Sequence, residues 1–159
     1  GPLDLFMNRD KMKISPSALS LTLVGIQLVL IGMIAFTGPL WPSGWGLRGI
    51  LAIGGVIGLW AIQAMGLRQV KVFPEVANQG KLIVFGPYRW VRHPMYTSVL
   101  LVALAWVLGS PLPYRILLWV GLIMTLMVKL RYEEHLLMER FPEYDAYRRQ
   151  TKRLIPFVW

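Results

Sequence analysis

A segment of eleven residues, 86–96, carries a dense set of chemically capable side chains between two apolar parts of the chain. It holds two arginines, one histidine, three aromatic residues and two prolines. Pro94 directly precedes an apolar run, and proline is favoured at the first position of a helix. We therefore expect Arg92 and His93 at the mouth of a membrane helix, at the depth of the lipid headgroups. A cationic pair in this place can receive an anionic group.

A second polar block, residues 131–134, follows the next two apolar runs and contains Arg131, Glu133 and Glu134. The two runs predict an antiparallel helical hairpin, which would bring both polar blocks to the same membrane face. Carboxylates and arginines beside an apolar groove suit a polar cofactor that meets a lipid-like substrate.

The composition indicates a membrane protein of one domain. The chain has 159 residues, of which 55% are hydrophobic, and its mean hydropathy of +0.52 is too high for a soluble globule. The net charge is +9, but the basic residues flank apolar runs, so lipid headgroups and topology explain them better than nucleic acid does. The absence of cysteine excludes disulfides, thiolate metal sites and a cysteine nucleophile. Two distant histidines argue against a zinc site, and we expect no metal.

The apolar runs predict an all-α integral membrane protein with about four transmembrane helices. Two runs of roughly 20 residues, 16–37 and 47–67, contain no internal cluster of charge. Each run is long enough to cross a bilayer core as a helix. Small residues at 54, 55, 58 and 61 predict close helix contact within the chain. The runs 94–108 and 114–128 are short and predict a short helical hairpin, either tilted or in a thinned bilayer.

The distribution of charge predicts the topology and the domain organisation. A four-span arrangement puts fifteen of the seventeen Lys and Arg residues on one side of the membrane and only Arg48 and Arg115 on the other. Both termini are therefore expected in the cytoplasm, in either a prokaryotic inner membrane or the eukaryotic endoplasmic reticulum. We interpret residues 1–6 as a cloning remnant, residues 7–67 as two N-terminal spans and residues 68–159 as a catalytic core. The last helix should continue beyond the membrane, and a cytoplasmic helical segment with an apolar tail should fold back over the hairpin.

Three motifs carry a family resemblance: Gly-Pro-Tyr-Arg-Trp-Val-Arg-His-Pro-Met-Tyr at 86–96, the Glu-Glu block with its Phe-Pro and Tyr-x-x-Tyr at 133–147, and Arg-Leu-Ile-Pro-Phe at 153–157. Together they resemble the isoprenylcysteine carboxyl methyltransferase family and its phospholipid methyltransferase relatives, over roughly residues 68–159. The resemblance implies S-adenosylmethionine bound between the last two membrane helices, under the C-terminal segment, and a lipid-like methyl acceptor. The Arg-His-Pro region is also shared with membrane sterol reductases, which use NADPH.

The resemblance and the chemistry of the side chains together give a set of candidate site residues. We predict catalytic roles for Arg92, Arg131 and Glu133. The cofactor-binding candidates are Tyr88, His93, Pro94, Tyr96, Glu134, Leu154, Ile155 and Pro156. The family's arginine about four residues before the glutamates is replaced here by Lys129, so the sequence leaves the substrate-side cation open between Lys129 and Arg131.

The physical chemistry of methyl transfer agrees with these roles. Carboxylates and aromatic faces stabilise the sulfonium cation of the donor, and a carboxylate such as Glu133 or Glu134 suits its ribose diol. A carboxylate acceptor is ionised at pH 7 and needs no base, whereas an amine acceptor would require His93 or a glutamate as base. The sequence names neither the acceptor nor the oligomeric state.

Three simpler interpretations compete with these roles. Arg92 is then a lipid-phosphate anchor, His93 a helix cap, and the two glutamates a solvated helix face. At the level of the whole protein, the alternatives are an NADPH-dependent membrane reductase and a non-enzymatic membrane lipid-binding protein.

Overall fold

The computed structural model describes residues 17–66 and 82–159. Within them the chain forms five α-helices and one 3₁₀ helix, with no β-strand. The elements in chain order are α1 (Ala18–Phe36), α2 (Trp45–Met65), the 3₁₀ helix (Gly86–Arg89), α3 (Pro94–Gly109), α4 (Pro113–Arg140) and α5 (Tyr144–Gln150). The predicted all-α fold class is confirmed.

Three of the helices, α1, α2 and α4, are long and apolar enough to cross a membrane. Helix α3 is apolar but has only 16 residues, about 24 Å against a hydrocarbon core of about 30 Å. The predicted hairpin is therefore asymmetric, because its second helix has 28 residues. That helix continues past its apolar run, which ends at Val128, through the polar turns to Arg140, as the sequence predicted.

Helix α3 packs chiefly against α2, along the small-residue face that the sequence predicted. A side chain added at Gly54 would lie 3.2 Å from the backbone nitrogen of Val102, and Ala61 is fully buried. The Ser98 hydroxyl donates to the Gly54 carbonyl at 2.7 Å. The contact lies within one chain, as predicted, although Gly55 faces open space.

Helices α1, α3 and α4 enclose the apolar core, which is formed by Ile34, Ala103, Val107, Leu122 and Leu126. The end of the bundle remote from residues 86–96 is held by Arg115, which is fully buried. Its guanidinium donates to the carbonyls of Ile34 at 3.0 Å and Trp106 at 2.7 Å. One α4 side chain thus joins the C-terminal turn of α1 to α3.

The C-terminal segment folds back over the start of α3, as the sequence predicted. The backbone amides of Arg92 and His93 donate to the carbonyls of Lys152 and Arg153, at 2.7 and 3.1 Å. The Lys152 amide donates in return to the Trp90 carbonyl at 3.0 Å. These bonds place the predicted site between the N-terminus of α3, the polar turns of α4 and the chain's last residues.

Several predictions fall on parts of the chain outside the described residues. They concern residues 1–6, the basic residues before the first span and most of the polar connection, 67–81. Residues 82–85 are described and belong to no helix or strand. The division at residues 67 and 68 and the cytoplasmic position of the termini stay predictions.

Candidate functional site

The segment before α3 is positioned by its glycine and prolines. Gly86 has φ +62 and lies close to α2, where an added side chain would meet Ala64 at 2.9 Å. The 3₁₀ helix then turns the chain toward Pro94, which is the first residue of α3 and fits there because a helix leaves its first amide unbonded. His93 occupies the N-cap position but its side chain makes no capping bond. His93 is thus the N-cap residue of α3 by position, while its imidazole lies against Glu134 and does not cap the helix.

Glu134 on α4 is the centre of a buried polar cluster. Its Oε1 accepts a hydrogen bond from Arg92 Nε at 2.7 Å and lies 3.3 Å from His93 Nε2. Its Oε2 lies 3.4 Å from Arg153 Nε. The side chains of Arg92, His93 and Glu134 are each at most 6% exposed. The structure thus joins both predicted polar blocks, and Glu134 is not a solvated residue.

Arg92 also binds the backbone of the C-terminal segment. Its Nη1 donates to the carbonyls of Arg148 at 3.0 Å and Thr151 at 2.6 Å. With Glu134 on its Nε, most of the guanidinium's hydrogen-bonding capacity is used within the protein. The interpretation of Arg92 as only an anchor for lipid phosphate does not agree with this geometry.

These contacts keep Glu134 ionised. Glu134 lies beyond the apolar run of α4, and its burial alone would raise the pKa of its carboxyl. The hydrogen bonds of His93 and Arg92, together with the positive charge of Arg92, outweigh burial and lower the pKa of Glu134 from 4.5 to about 2. Glu134 is therefore an acceptor and a fixed negative charge at physiological pH.

The adjacent Glu133 has a different environment, because it is half-buried and partly open. Its Oε2 accepts a hydrogen bond from the Tyr96 hydroxyl at 2.7 Å. The Tyr96 ring stacks on the imidazole of His93, with centroids 5.3 Å apart. Among the described residues, no hydrogen bond reaches Glu133 Oε1. Glu133 therefore offers a carboxylate oxygen beside Glu134, whose two oxygens face Arg92, His93 and Arg153.

Lys129 and Arg131 differ sharply in position. Lys129 is 3% exposed, its ammonium lies 5.2 Å from the centre of the Tyr96 ring, and it donates to the side-chain oxygen of Gln27 at 2.9 Å. Arg131 is exposed and lies outside the cluster. The sequence gives no signal for Gln27, because a glutamine in an apolar span does not indicate its partner 102 residues away.

Tyrosines from the 3₁₀ helix and α5 complete the surroundings of the glutamates. The Tyr147 hydroxyl donates to the Tyr88 carbonyl at 2.7 Å. Burial raises the pKa of both phenols, and the negative charge of Glu133 adds to the rise at Tyr88. Tyr144 is 1% exposed, and its hydroxyl has no partner among the described residues. The Tyr-x-x-Tyr spacing was its only signal in the sequence.

The predicted cofactor residues of the C-terminal segment are placed unequally. Leu154 is buried, and its carbonyl accepts a hydrogen bond from the Thr97 hydroxyl at 2.8 Å. Ile155 and Pro156 are exposed. The amides of Leu154 and Ile155 both donate to the Trp159 carbonyl, so these two donors are used within the segment. Only Leu154 borders the cluster.

No cluster of histidine, cysteine or carboxylate side chains in the described ranges is arranged to hold a metal ion.

Two comparisons with known proteins give matches. The chain is 28% identical over 158 residues to the nickel-cobalt-cadmium resistance protein NccN of Alcaligenes xylosoxydans xylosoxydans, covering 98% of this chain and 69% of that protein. The family model "Phospholipid methyltransferase" matches residues 46–144, from α2 to the first residue of α5. It is the family of the isoprenylcysteine carboxyl methyltransferase relatives that the motifs indicated. The chain belongs to the phospholipid methyltransferase family.

Proposed function

We propose that the protein is an integral-membrane methyltransferase that uses S-adenosylmethionine and acts on a lipophilic acceptor, of the prenylcysteine carboxylate type or a related lipid, at the cytoplasmic membrane face. Family membership supports a membrane methyltransferase that acts on a lipid. The observation that carries the finer proposal is the convergence of two adjacent carboxylates with His93 and Tyr96, beneath the C-terminal segment. A cationic methyl donor suits such a site.

The chemistry of the cluster fits the proposed cofactor, which supplies the methyl group when bound. A sulfonium cation is stabilised by carboxylates and by aromatic faces, and Glu133 and Tyr96 provide both. Buried polar groups in native proteins nearly always find a partner. The buried Tyr144 hydroxyl has none among the described residues, so a polar ligand can satisfy it. We assign cofactor contacts to Tyr88, His93, Pro94, Tyr96 and Leu154 as well.

Glu134 and Arg92 fill a different role in this proposal. Their polar atoms are engaged with each other, with His93 and with the C-terminal backbone. They therefore hold the N-terminus of α3 and the covering segment in register, so that His93 and Tyr96 face the cofactor in a fixed orientation. Positioning of this kind supplies much of the rate enhancement in a direct transfer between two bound groups.

We assign the acceptor-side cation to Lys129. Its ammonium is buried beside Tyr96 and has three donors, of which Gln27 accepts one. A carboxylate acceptor is attracted by this charge and needs no base. Arg131 is exposed, and no contact joins it to the cluster among the described residues, so we use it as the comparison and assign it no role in the transfer.

The experiment that tests the proposal is a calorimetric titration of the detergent-solubilised protein with S-adenosylhomocysteine and with NADPH. We expect S-adenosylhomocysteine to bind and NADPH not to bind. Glu133→Gln should weaken binding by roughly 1–3 kcal/mol, the range for a lost hydrogen bond to a charged group. Glu139→Gln, on the exposed part of the same helix, is the matched control and should bind as the wild type does. Binding of NADPH alone would favour a reductase, and binding of neither would remove the enzymatic proposal.

A further inference from the structure

A cavity lies beside Arg92, and neither Glu133 nor Tyr96 lines it. Its volume is about 290 Å³, and it opens between the start of α3 and the C-terminal segment. The lining residues are Arg92, Arg148, Thr151, Lys152, Arg153, Val158 and Trp159. Only Arg92 and Arg153 also touch Glu134. This basic cavity is therefore a neighbour of the proposed cofactor site and does not coincide with it.

The charges around the basic cavity favour an anion. Four of its lining side chains are cationic, and Arg149 adds a fifth cation nearby. Two carboxylates oppose them, since Arg92 and Arg153 share Glu134 while Arg148 and Arg149 share Asp145. Lys152 has no carboxylate partner among the described residues. The positive excess repels a cationic sulfonium and attracts a phosphate, whose oxygens match arginine donors.

The wall of the cavity continues into an exposed apolar tail. Phe157 and Val158 are 87% and 70% exposed, and Ile155 is 52% exposed. The Trp159 ring lies under Arg153, with the guanidinium 5.1 Å from its centre. Exposed apolar side chains next to basic ones are typical of a segment that lies in a membrane interface. Tryptophan and arginine both favour that depth.

We propose that the basic cavity binds the headgroup phosphate of an anionic phospholipid from the adjoining leaflet, with the apolar tail beside its acyl chains. The occupant is a lipid rather than free phosphate, because the basic cavity opens beside an apolar surface of the same segment. This second lipid site is separate from the methyl-acceptor site, and it does not rest on the proposed methyl transfer. Lys152 and Arg148 are its two cationic residues that lie outside the Glu134 cluster.

The test is a calorimetric titration of the purified protein in neutral detergent with dioctanoyl phosphatidylglycerol, dioctanoyl phosphatidylcholine and inorganic phosphate. We expect phosphatidylglycerol to bind at least about tenfold more tightly than phosphatidylcholine. Lys152→Gln and Arg148→Gln should each weaken phosphatidylglycerol binding about fivefold, which corresponds to about 1 kcal/mol for one basic residue near an anionic lipid. Both side chains are at the surface, so a melting curve of each variant should match the wild type.

Arg149→Gln is the matched control. Arg149 is the neighbour of Arg148 on α5 and shares its partner Asp145, but its side chain is 78% exposed and does not line the basic cavity. It should change phosphatidylglycerol affinity less than twofold. If Arg149→Gln lost as much phosphatidylglycerol affinity as the other two variants, general surface charge would explain the effect and the proposal would be overturned. Equal binding of both lipids, or full competition by inorganic phosphate at the same concentration, would also overturn it.

Discussion

Neutralising Glu134 removes the one carboxylate that Arg92, His93 and Arg153 share. Glu134→Gln keeps the shape of the side chain but leaves the Arg92 guanidinium buried without a counter-charge. Breaking a buried ion pair on one side costs about 3–5 kcal/mol. The pKa of about 2 in the folded chain, against 4.5 for an ordinary glutamate, corresponds to about 3 kcal/mol. The two figures agree, and we expect destabilisation of that size.

The same difference predicts how stability depends on pH. The pKa of Glu134 is lower in the folded chain than in the unfolded chain, so its contribution is complete above pH 4.5. It is lost as the pH falls from about 4.5 toward 2. The wild-type protein should lose about 3 kcal/mol across this window through Glu134, and the Glu134→Gln variant should lack that component.

The assay is thermal unfolding in detergent, followed by intrinsic tryptophan fluorescence. A loss of about 3 kcal/mol lowers the melting temperature of a chain of this size by roughly 6–12 °C. The control is Glu139→Gln, because Glu139 is 63% exposed and pairs with the exposed His135, and such pairs contribute at most about 1 kcal/mol. Equal melting temperatures for Glu134→Gln and Glu139→Gln would refute the claim that Glu134 holds the site together.

Three further predictions concern other parts of the molecule. Lys129→Met should lower the rate of methyl transfer to an anionic acceptor at least about tenfold, equivalent to about 1.4 kcal/mol. Arg131→Met should leave the rate nearly unchanged. Equal effects of the two substitutions in steady-state assays would contradict the assignment of Lys129. Gly54→Ala should destabilise the contact between α2 and α3 by about 1–3 kcal/mol through crowding. Gly55 faces open space, so Gly55→Ala should be neutral or stabilise the protein by up to about 1 kcal/mol. A melting curve of each variant checks both expectations. A reporter fused after Trp159 and one in the loop between α1 and α2 should lie on opposite sides of the membrane, and the same side for both would exclude the four-span topology.

The convergence of the two polar blocks was predictable because they flank two consecutive apolar helices. Antiparallel neighbours with a short connection must bring residues near 93 and 134 to one end. Pro94 marked the start of α3, and the change from apolar to charged residues at Lys129 marked the end of the apolar run of α4. Periodicity and turn residues carry this information locally, so one sequence is enough to read it.

The identity of each polar partner was not predictable in the same way. Arg92 binds the carbonyls of Arg148 and Thr151, and every residue has a carbonyl, so no sequence pattern marks these acceptors. The pairing of Gln27 with Lys129 depends on how α1 packs against α4, which the apolar pattern of α1 leaves undetermined. The sequence therefore indicates where the site lies but does not separate the half-buried Glu133 from the buried, ion-paired Glu134.

The most direct test of the central claim is methyl transfer by the purified protein in nanodiscs. The protein is incubated with methyl-labelled S-adenosylmethionine and prenylcysteine-type carboxylate or membrane-lipid acceptors, and label is then counted in the organic phase. We expect labelled lipophilic product that falls at least about tenfold in Glu133→Gln, and label that base releases if the acceptor is a carboxylate. Base-stable label would indicate an amine or thiol acceptor and contradict the assignment of Lys129. No transfer to any acceptor, by protein that melts as a folded species, would contradict the proposed function.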